Sequence, residues 1–190
     1  MNLPVLRATG LALIVLAVAA CGAGGPSATA SPSAPASAAP ATYAEFDAAF
    51  CGAFTSLIRA VGNPDAGTPS VLSRALDDAV KTHDGSAAER AAGAMTAELE
   101  AGRQQAAIAA RWPPATAAMG QMDKLLLAYE AATTAKLALA TGPAGVADPD
   151  KAFEQAGGAQ AWAAALTGVS KLVPPPGASP QPCKAFSGQV

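Results

Sequence analysis

The sequence predicts an all-α protein, an antiparallel bundle of four long helices plus a shorter one. Three observations support this fold class. Much of the 51% hydrophobic content is alanine, the best helix former, whereas aromatic residues make up only 5%. Apolar residues recur at helical spacing between residues 42 and 173, and glycine or proline punctuates the segments. No β-branched run alternates with polar residues, so the sequence predicts no strand.

The first predicted helix begins at Thr42, because Thr42 and Glu45 have the spacing of a capping box. Gly62 and the residues after it end this helix. Its apolar residues follow at helical spacing: Phe46, Phe50, Phe54, Leu57, Ile58 and Val61. Thr68 and Pro69 then predict an N-cap and a first helical residue for a shorter second helix, which ends near His83.

Two further helices are separated by a pair of prolines. Ser86 and Glu89 form a second capping-box pattern and predict the start of a long third helix. Pro113-Pro114 must end it, because proline lacks the amide donor and restricts the residue before it. The fourth helix is predicted from about Ala115 to Ala140.

The last predicted helix starts at Asp148 and Pro149 and is weakened in the middle by Gly157-Gly158. The prolines that begin at Pro174 end helical structure. The helical domain is therefore predicted over residues 42–173, followed by a Pro-rich tail over residues 174–190.

The first 21 residues have the pattern of an export signal. Arg7 gives the start a positive charge, and the apolar stretch Ala8–Ala20 is about 13 residues long, shorter than the roughly 20 of a membrane-spanning helix. The end, Val18-Ala19-Ala20-Cys21, resembles the lipobox of bacterial lipoproteins. The resemblance implies that residues 1–20 are a signal peptide, removed before Cys21, and that Cys21 receives a diacylglycerol. An ordinary signal with an accidental cysteine is the alternative.

Residues 21–41 are predicted to be the lipidated cysteine and a disordered tether. Glycine, proline, serine and alanine bury too little surface to repay the entropy of ordering. The prolines stiffen this segment, which gives a reach of at most about 60 Å. A diacyl anchor attaches a protein stably where a single chain does not. The expected location is therefore the extracytoplasmic face of the cell membrane, with lipid as the attachment.

The three cysteines are an odd number, and lipidation of Cys21 leaves Cys51 and Cys183. Disulfides persist outside the cytoplasm. We therefore expect a Cys51–Cys183 disulfide that ties the Pro-rich tail to the first helix, with two free buried thiols as the alternative. This bond would stabilise the fold and carry no chemistry.

No residue pattern predicts catalysis, a metal or a cofactor. His83 is the single histidine, and its position between two helices favours a role as a helix-capping residue. The sequence lacks the Gly-x-Ser-x-Gly and Ser-x-x-Lys patterns of hydrolases. The acidic pairs Asp77-Asp78 and Glu98/Glu100 have spacings that point apart on a helix. Asp148 and Asp150 are explained by helix capping.

The function expected from these observations is non-catalytic binding. With 12 Lys and Arg against 14 Asp and Glu, no basic face for nucleic acid is predicted. The leading hypothesis is a surface lipoprotein whose helical domain binds a protein or envelope partner. The alternative is a carrier of a small molecule or haem in a cavity between helices. An enzyme without a recognisable motif is the third hypothesis. The residues that would form either a core or such a cavity are Met95, Met119, Met122, Trp112, Trp162 and Tyr129.

Overall fold

The structure, a computed structural model, describes residues 39–63, 66–143, 145, 147–178 and 183. They lie in the compact unit Ser37–Val190. The predicted signal peptide, the lipidation site Cys21 and nearly all of the tether lie outside the described residues, as does most of the tail. The described part is mostly helical with one two-stranded hairpin, in agreement with the predicted helical character.

Helix α1, Tyr43–Val61, begins at the predicted capping box. The Thr42 hydroxyl accepts a hydrogen bond from the Glu45 amide at 3.2 Å, and the Glu45 carboxylate accepts one from the Thr42 amide at 2.7 Å. The hydrogen bonds from Thr42, led by the one from its amide, lower the pKa of the Glu45 carboxyl. This cap fixes where the chain enters the folded body.

A short hairpin follows α1, where the sequence predicted only a helix end. Strand β1, Gly62–Asn63, pairs antiparallel with strand β2, Thr68–Pro69. Gly62 has a φ of 105°, a conformation that favours glycine. A Cβ at Gly62 would lie 2.1 Å from the Thr68 carbonyl oxygen, so the two strands require glycine here.

The predicted starts of the next two helices are each wrong by two residues. Helix α2, Val71–Thr82, is capped by the Ser70 hydroxyl and not by Thr68, which lies in β2. Helix α3, Gly85–Ala109, is capped by the Asp84 carboxylate, so the predicted capping box of Ser86 and Glu89 is not used. In both places a better-placed acceptor lies close to the predicted cap.

The paired prolines separate the two longest helices, as predicted. Residues Pro113–Ala115 form a 3₁₀ turn, and helix α4, Thr116–Thr141, follows it directly. The α4 helix ends at Gly142, whose amide donates to the Ala138 carbonyl. The chain therefore reverses direction between α3 and α4 without a long loop.

The last predicted helix is two helices. Helix α5, Pro149–Gln155, starts at Asp148, whose carboxylate accepts a hydrogen bond from an amide of the first turn, as predicted. Gly157 then adopts a φ of 77°, and helix α6, Gly158–Ser170, begins after it. A left-handed residue cannot continue a right-handed helix, so the glycine pair divides the segment instead of weakening it.

The main core lies where α1 and α6 pack against α3 and α4. Its largest fully buried side chains include Leu57, Leu99, Met119, Met122, Leu125 and Leu126. Small residues bring the backbones of α1 and α3 together: a Cβ on Gly102 would lie 3.4 Å from the Ala53 carbonyl oxygen. A second, smaller cluster beneath α2 contains Leu76 and Met95.

The predicted disulfide is present. Cys51 in α1 and Cys183 are bonded, with 5.4 Å between their Cα atoms and 132 residues between them along the chain. None of the helices in the described part of the chain combines the length and the apolar character that a membrane crossing requires.

Candidate binding site

A cavity of about 440 Å³ lies between the hairpin and helices α3, α4 and α5. Its volume falls within the range of small-molecule sites, roughly 300–1,000 Å³. Met95 reaches it from α3, and Pro149, Asp150 and Phe153 line it from α5. Helices α1 and α2 each contribute one lining residue as well, so the hairpin and five helices form the cavity.

One face of α4 forms a wall of the cavity. Tyr129, Ala132, Thr133 and Lys136 line the cavity at spacings of three, four and seven, which places them on one side of the helix. Thr133 is buried, and its hydroxyl donates to the Tyr129 carbonyl at 2.8 Å. Its hydrogen-bonding need is thus met within the helix.

Two aromatic rings meet at the cavity. The ring centroids of Tyr129 and Phe153 lie 4.7 Å apart, and the angle between the two ring planes is 44°. Gly158 gives the Phe153 ring its space, because a Cβ at this glycine would lie 2.4 Å from the ring. Burial raises the pKa of the Tyr129 hydroxyl, so it is neutral at neutral pH and available as a hydrogen-bonding group.

The two charged residues that line the cavity in the described part of the chain, Lys136 and Asp150, have opposite signs. Lys136 donates to Asp77 of α2 at 2.5 Å, and both side chains are partly exposed. Asp150, in the first turn of α5, is the other charged residue among the described residues that line the cavity. The site therefore has little net charge with which to attract an ion.

A second cavity of about 670 Å³ shares all four strand residues of the hairpin with the first. Its other lining residues include three charged side chains, Arg59, Arg74 and Glu98. The guanidinium of Arg74 donates to the Pro69 carbonyl at 3.3 Å. The hairpin is thus a common boundary of a mainly apolar cavity and a more highly charged one.

The Met and aromatic candidates from the sequence divide between core and cavity. Met95 and Tyr129 line the 440 Å³ cavity. The other four pack in the main core: Trp112, Met119, Met122 and Trp162. The hairpin and the contribution of Phe153 were not predicted from the sequence. The sequence did contain one indication of the cavity, because the polar residues Thr133 and Lys136 lie beside an otherwise apolar face of α4.

The remaining candidates have structural roles. His83 is exposed at the C-terminal cap of α2 and does not line either cavity described above. Asp77 and Asp78 point to different partners, Lys136 and Lys81, as their spacing predicted. In the described part of the chain, no group of three or more His, Cys, Asp or Glu is arranged to hold a metal ion.

Comparisons with protein-family models, with curated proteins and with solved structures find no match. The function of the cavity is therefore inferred from the chemistry of the residues that line it. A mainly apolar pocket with a few polar groups on rigid helices has the form of a small-molecule binding site.

Proposed function

We propose that this chain is an exported, lipid-anchored protein whose helical body works by binding and not by catalysis. The observation that carries the export part is the Cys51–Cys183 bond, since such bonds persist in oxidising compartments outside the cytoplasm. The signal-like pattern of residues 1–21, with Cys21 at its end, supports the same location independently.

Attachment at Cys21 supplies the membrane anchor in this proposal. A diacylglycerol on the thiol holds the protein at the extracytoplasmic face, and residues 22–41 act as the tether between lipid and body. Ala41 is buried, and its amide donates to the Arg111 carbonyl, so the tether ends where the chain is held against the body.

The finer architecture also belongs to the proposal. In it, α1, α3 and α4 are three long members of an antiparallel bundle, the α5–α6 pair takes the place of the fourth, and α2 is the shorter helix. The packing of α6 against α4 supports this arrangement. Residues 174–190 are a strap held by Cys183.

Two kinds of ligand are compatible with a binding role, a protein or envelope partner and a small molecule. The 440 Å³ cavity favours the small molecule, because its volume and aromatic pair suit one ligand of modest size. The exposed large apolar residues of the described part of the chain lie in or next to four different helices: Val71, Ile108, Leu127, Leu166 and Val173. Their positions do not by themselves define a surface for a protein partner.

Metabolic labelling with palmitate tests the anchor. The native chain should incorporate label and fractionate with membranes, whereas Cys21→Ser should lose the label and leave the membrane fraction. A chain with both Cys51→Ser and Cys183→Ser is the matched control and should keep the label. Retention of label and membrane location by Cys21→Ser would overturn the anchor proposal.

A further inference from the structure

We infer that the 440 Å³ cavity binds a neutral, mainly apolar small molecule that carries a ring and one hydrogen-bonding group. The inference rests on the proposed binding role of the body and adds the ligand class and the residues that select it. It does not depend on the lipid anchor.

The charges argue for a neutral ligand. The one cation that lines this cavity among the described residues, Lys136, is already paired with Asp77. An anionic ligand would have to compete with that carboxylate and would also meet Asp150. A cationic ligand would be attracted by Asp150 and repelled by Lys136, so the two lining charges give it no net attraction. Desolvating a charged group without a partner of its own is costly, so a neutral molecule fits best.

The two aromatic side chains at the cavity favour a ligand that itself contains a ring. Tyr129 and Phe153 present an inclined pair of aromatic surfaces, and aromatic rings attract one another in offset or edge-to-face arrangements. Met95 adds a polarizable, adaptable side chain from α3, which suits contact with an aromatic edge.

The hydroxyl of Tyr129 selects a ligand that carries a hydrogen-bonding group. In the described part of the chain, the Tyr129 hydroxyl has no hydrogen-bond partner and is not a fully buried unsatisfied group. The Thr133 hydroxyl, by contrast, already donates to a backbone carbonyl. On the α4 wall, Tyr129 is therefore the hydroxyl that a polar atom of the ligand meets, as donor or as acceptor.

The test uses N-phenyl-1-naphthylamine, a neutral fluorescent probe with aromatic rings and one N–H group. It is titrated into the full-length Cys21→Ser chain, purified without detergent and then unfolded in urea and refolded, so that neither detergent nor a co-purified molecule occupies the cavity. We expect saturable binding of one probe per chain. The sulfonated analogue, 8-anilinonaphthalene-1-sulfonate, should bind at least tenfold more weakly.

Two matched variants locate the probe. Ala132→Phe fills the cavity from α4 and should lower affinity at least tenfold, whereas Ala117→Phe makes the same change at an exposed position of the same helix and should change affinity less than twofold. Tyr129→Phe, which removes only the hydroxyl, should lower affinity about threefold to tenfold.

The inference is overturned by absence of saturable binding, by equal affinities of the two phenylalanine variants, or by a sulfonated analogue that binds as tightly. An unchanged affinity of Tyr129→Phe overturns the role of its hydroxyl. If Ala132→Phe lacks a cooperative thermal transition, Phe153→Leu replaces it and should lower affinity at least fivefold; unchanged affinity contradicts the inference. Failure of the palmitate experiment would leave this titration unaffected, which keeps the two proposals separable.

Discussion

At the scale of single residues, backbone conformation determines where the cavity can form. Gly62 allows β1 to pass close to the Thr68 carbonyl, and Gly157 ends α5 so that α6 begins in a new direction. Gly158 leaves the space that the Phe153 ring occupies. Three glycines thus shape the hairpin and the aromatic wall of one site.

We predict that Gly62→Ala lowers the free energy of unfolding by about 2 kcal/mol or more, because the new Cβ meets backbone and φ is positive. Gly93→Ala is the control. Gly93 is exposed within α3 with open space around it, so this change should raise stability by about 0.5–1 kcal/mol. Urea denaturation measures both, and similar effects of the two substitutions would contradict the account.

Replacement of His83 should stabilise the protein, the opposite of the effect predicted for Gly62→Ala. It adopts the left-handed conformation at the end of α2, with a φ of 52°, which costs an ordinary residue about 1–2 kcal/mol. His83→Gly should therefore raise the free energy of unfolding by about 0.5–1 kcal/mol, net of the larger entropy of an unfolded glycine. Lys81→Gly, inside the same helix, should lower it by about 1 kcal/mol. Thermal unfolding measures the stability of both variants. A lower stability of both would disprove the role of His83 as the cap of α2.

At the scale of helices and strands, the sequence predicted the features that depend on interactions between neighbouring residues. The Thr42–Glu45 cap and the break at Pro113-Pro114 depend on neighbouring residues, and both are as predicted. The cap of α3 was misplaced because Asp84 competes with Ser86 within two residues. The hairpin and the Tyr129–Phe153 contact were not predicted, because they depend on chain segments that meet only in the folded protein.

The cap of α1 makes stability depend on pH. The pKa of Glu45 is lower in the folded protein than its ordinary value of 4.5, so its carboxylate stabilises the fold above that pH. The contribution declines as pH falls and is lost below the folded pKa. The stability difference between the native chain and Glu45→Gln should therefore be constant near pH 7 and shrink below about pH 4.5.

Thr42→Ala supplies the control for this pH dependence, because it removes the hydroxyl partner and weakens the cap. In that background, the pH-dependent effect of Glu45→Gln should be reduced. Urea denaturation at several pH values measures the four chains. An effect of Glu45→Gln that grows as pH falls would contradict the sign of the linkage.

The disulfide links α1 to a residue 132 positions away, a long loop in the unfolded chain. Replacing Cys51 and Cys183 by serine should lower the free energy of unfolding by about 2–5 kcal/mol. Alkylation of the unreduced, unfolded protein should label neither cysteine. Labelling of both would show two free thiols and remove this support for export.

At the scale of the whole molecule, the place where the chain enters the body and the cavity lie at opposite ends of α1. Thr42 caps one end, and Val61 lines the cavity at the other, about 28 Å away along a 19-residue helix. Near the entry, Arg111 donates to the Ala39 carbonyl at 2.6 Å. Changes at the tether should therefore leave ligand binding intact, and changes at the cavity should leave anchoring intact.

Native mass spectrometry of the full-length Cys21→Ser chain, collected from its producing cells without detergent, shows whether the helical body holds a small ligand. A small molecule bound in the cavity should appear as one discrete added mass per chain. That mass should persist in Ala117→Phe and be lost in Ala132→Phe. A native chain without added mass, or an added mass retained equally by both variants, would contradict the claim that this body holds a small ligand between its hairpin and helices.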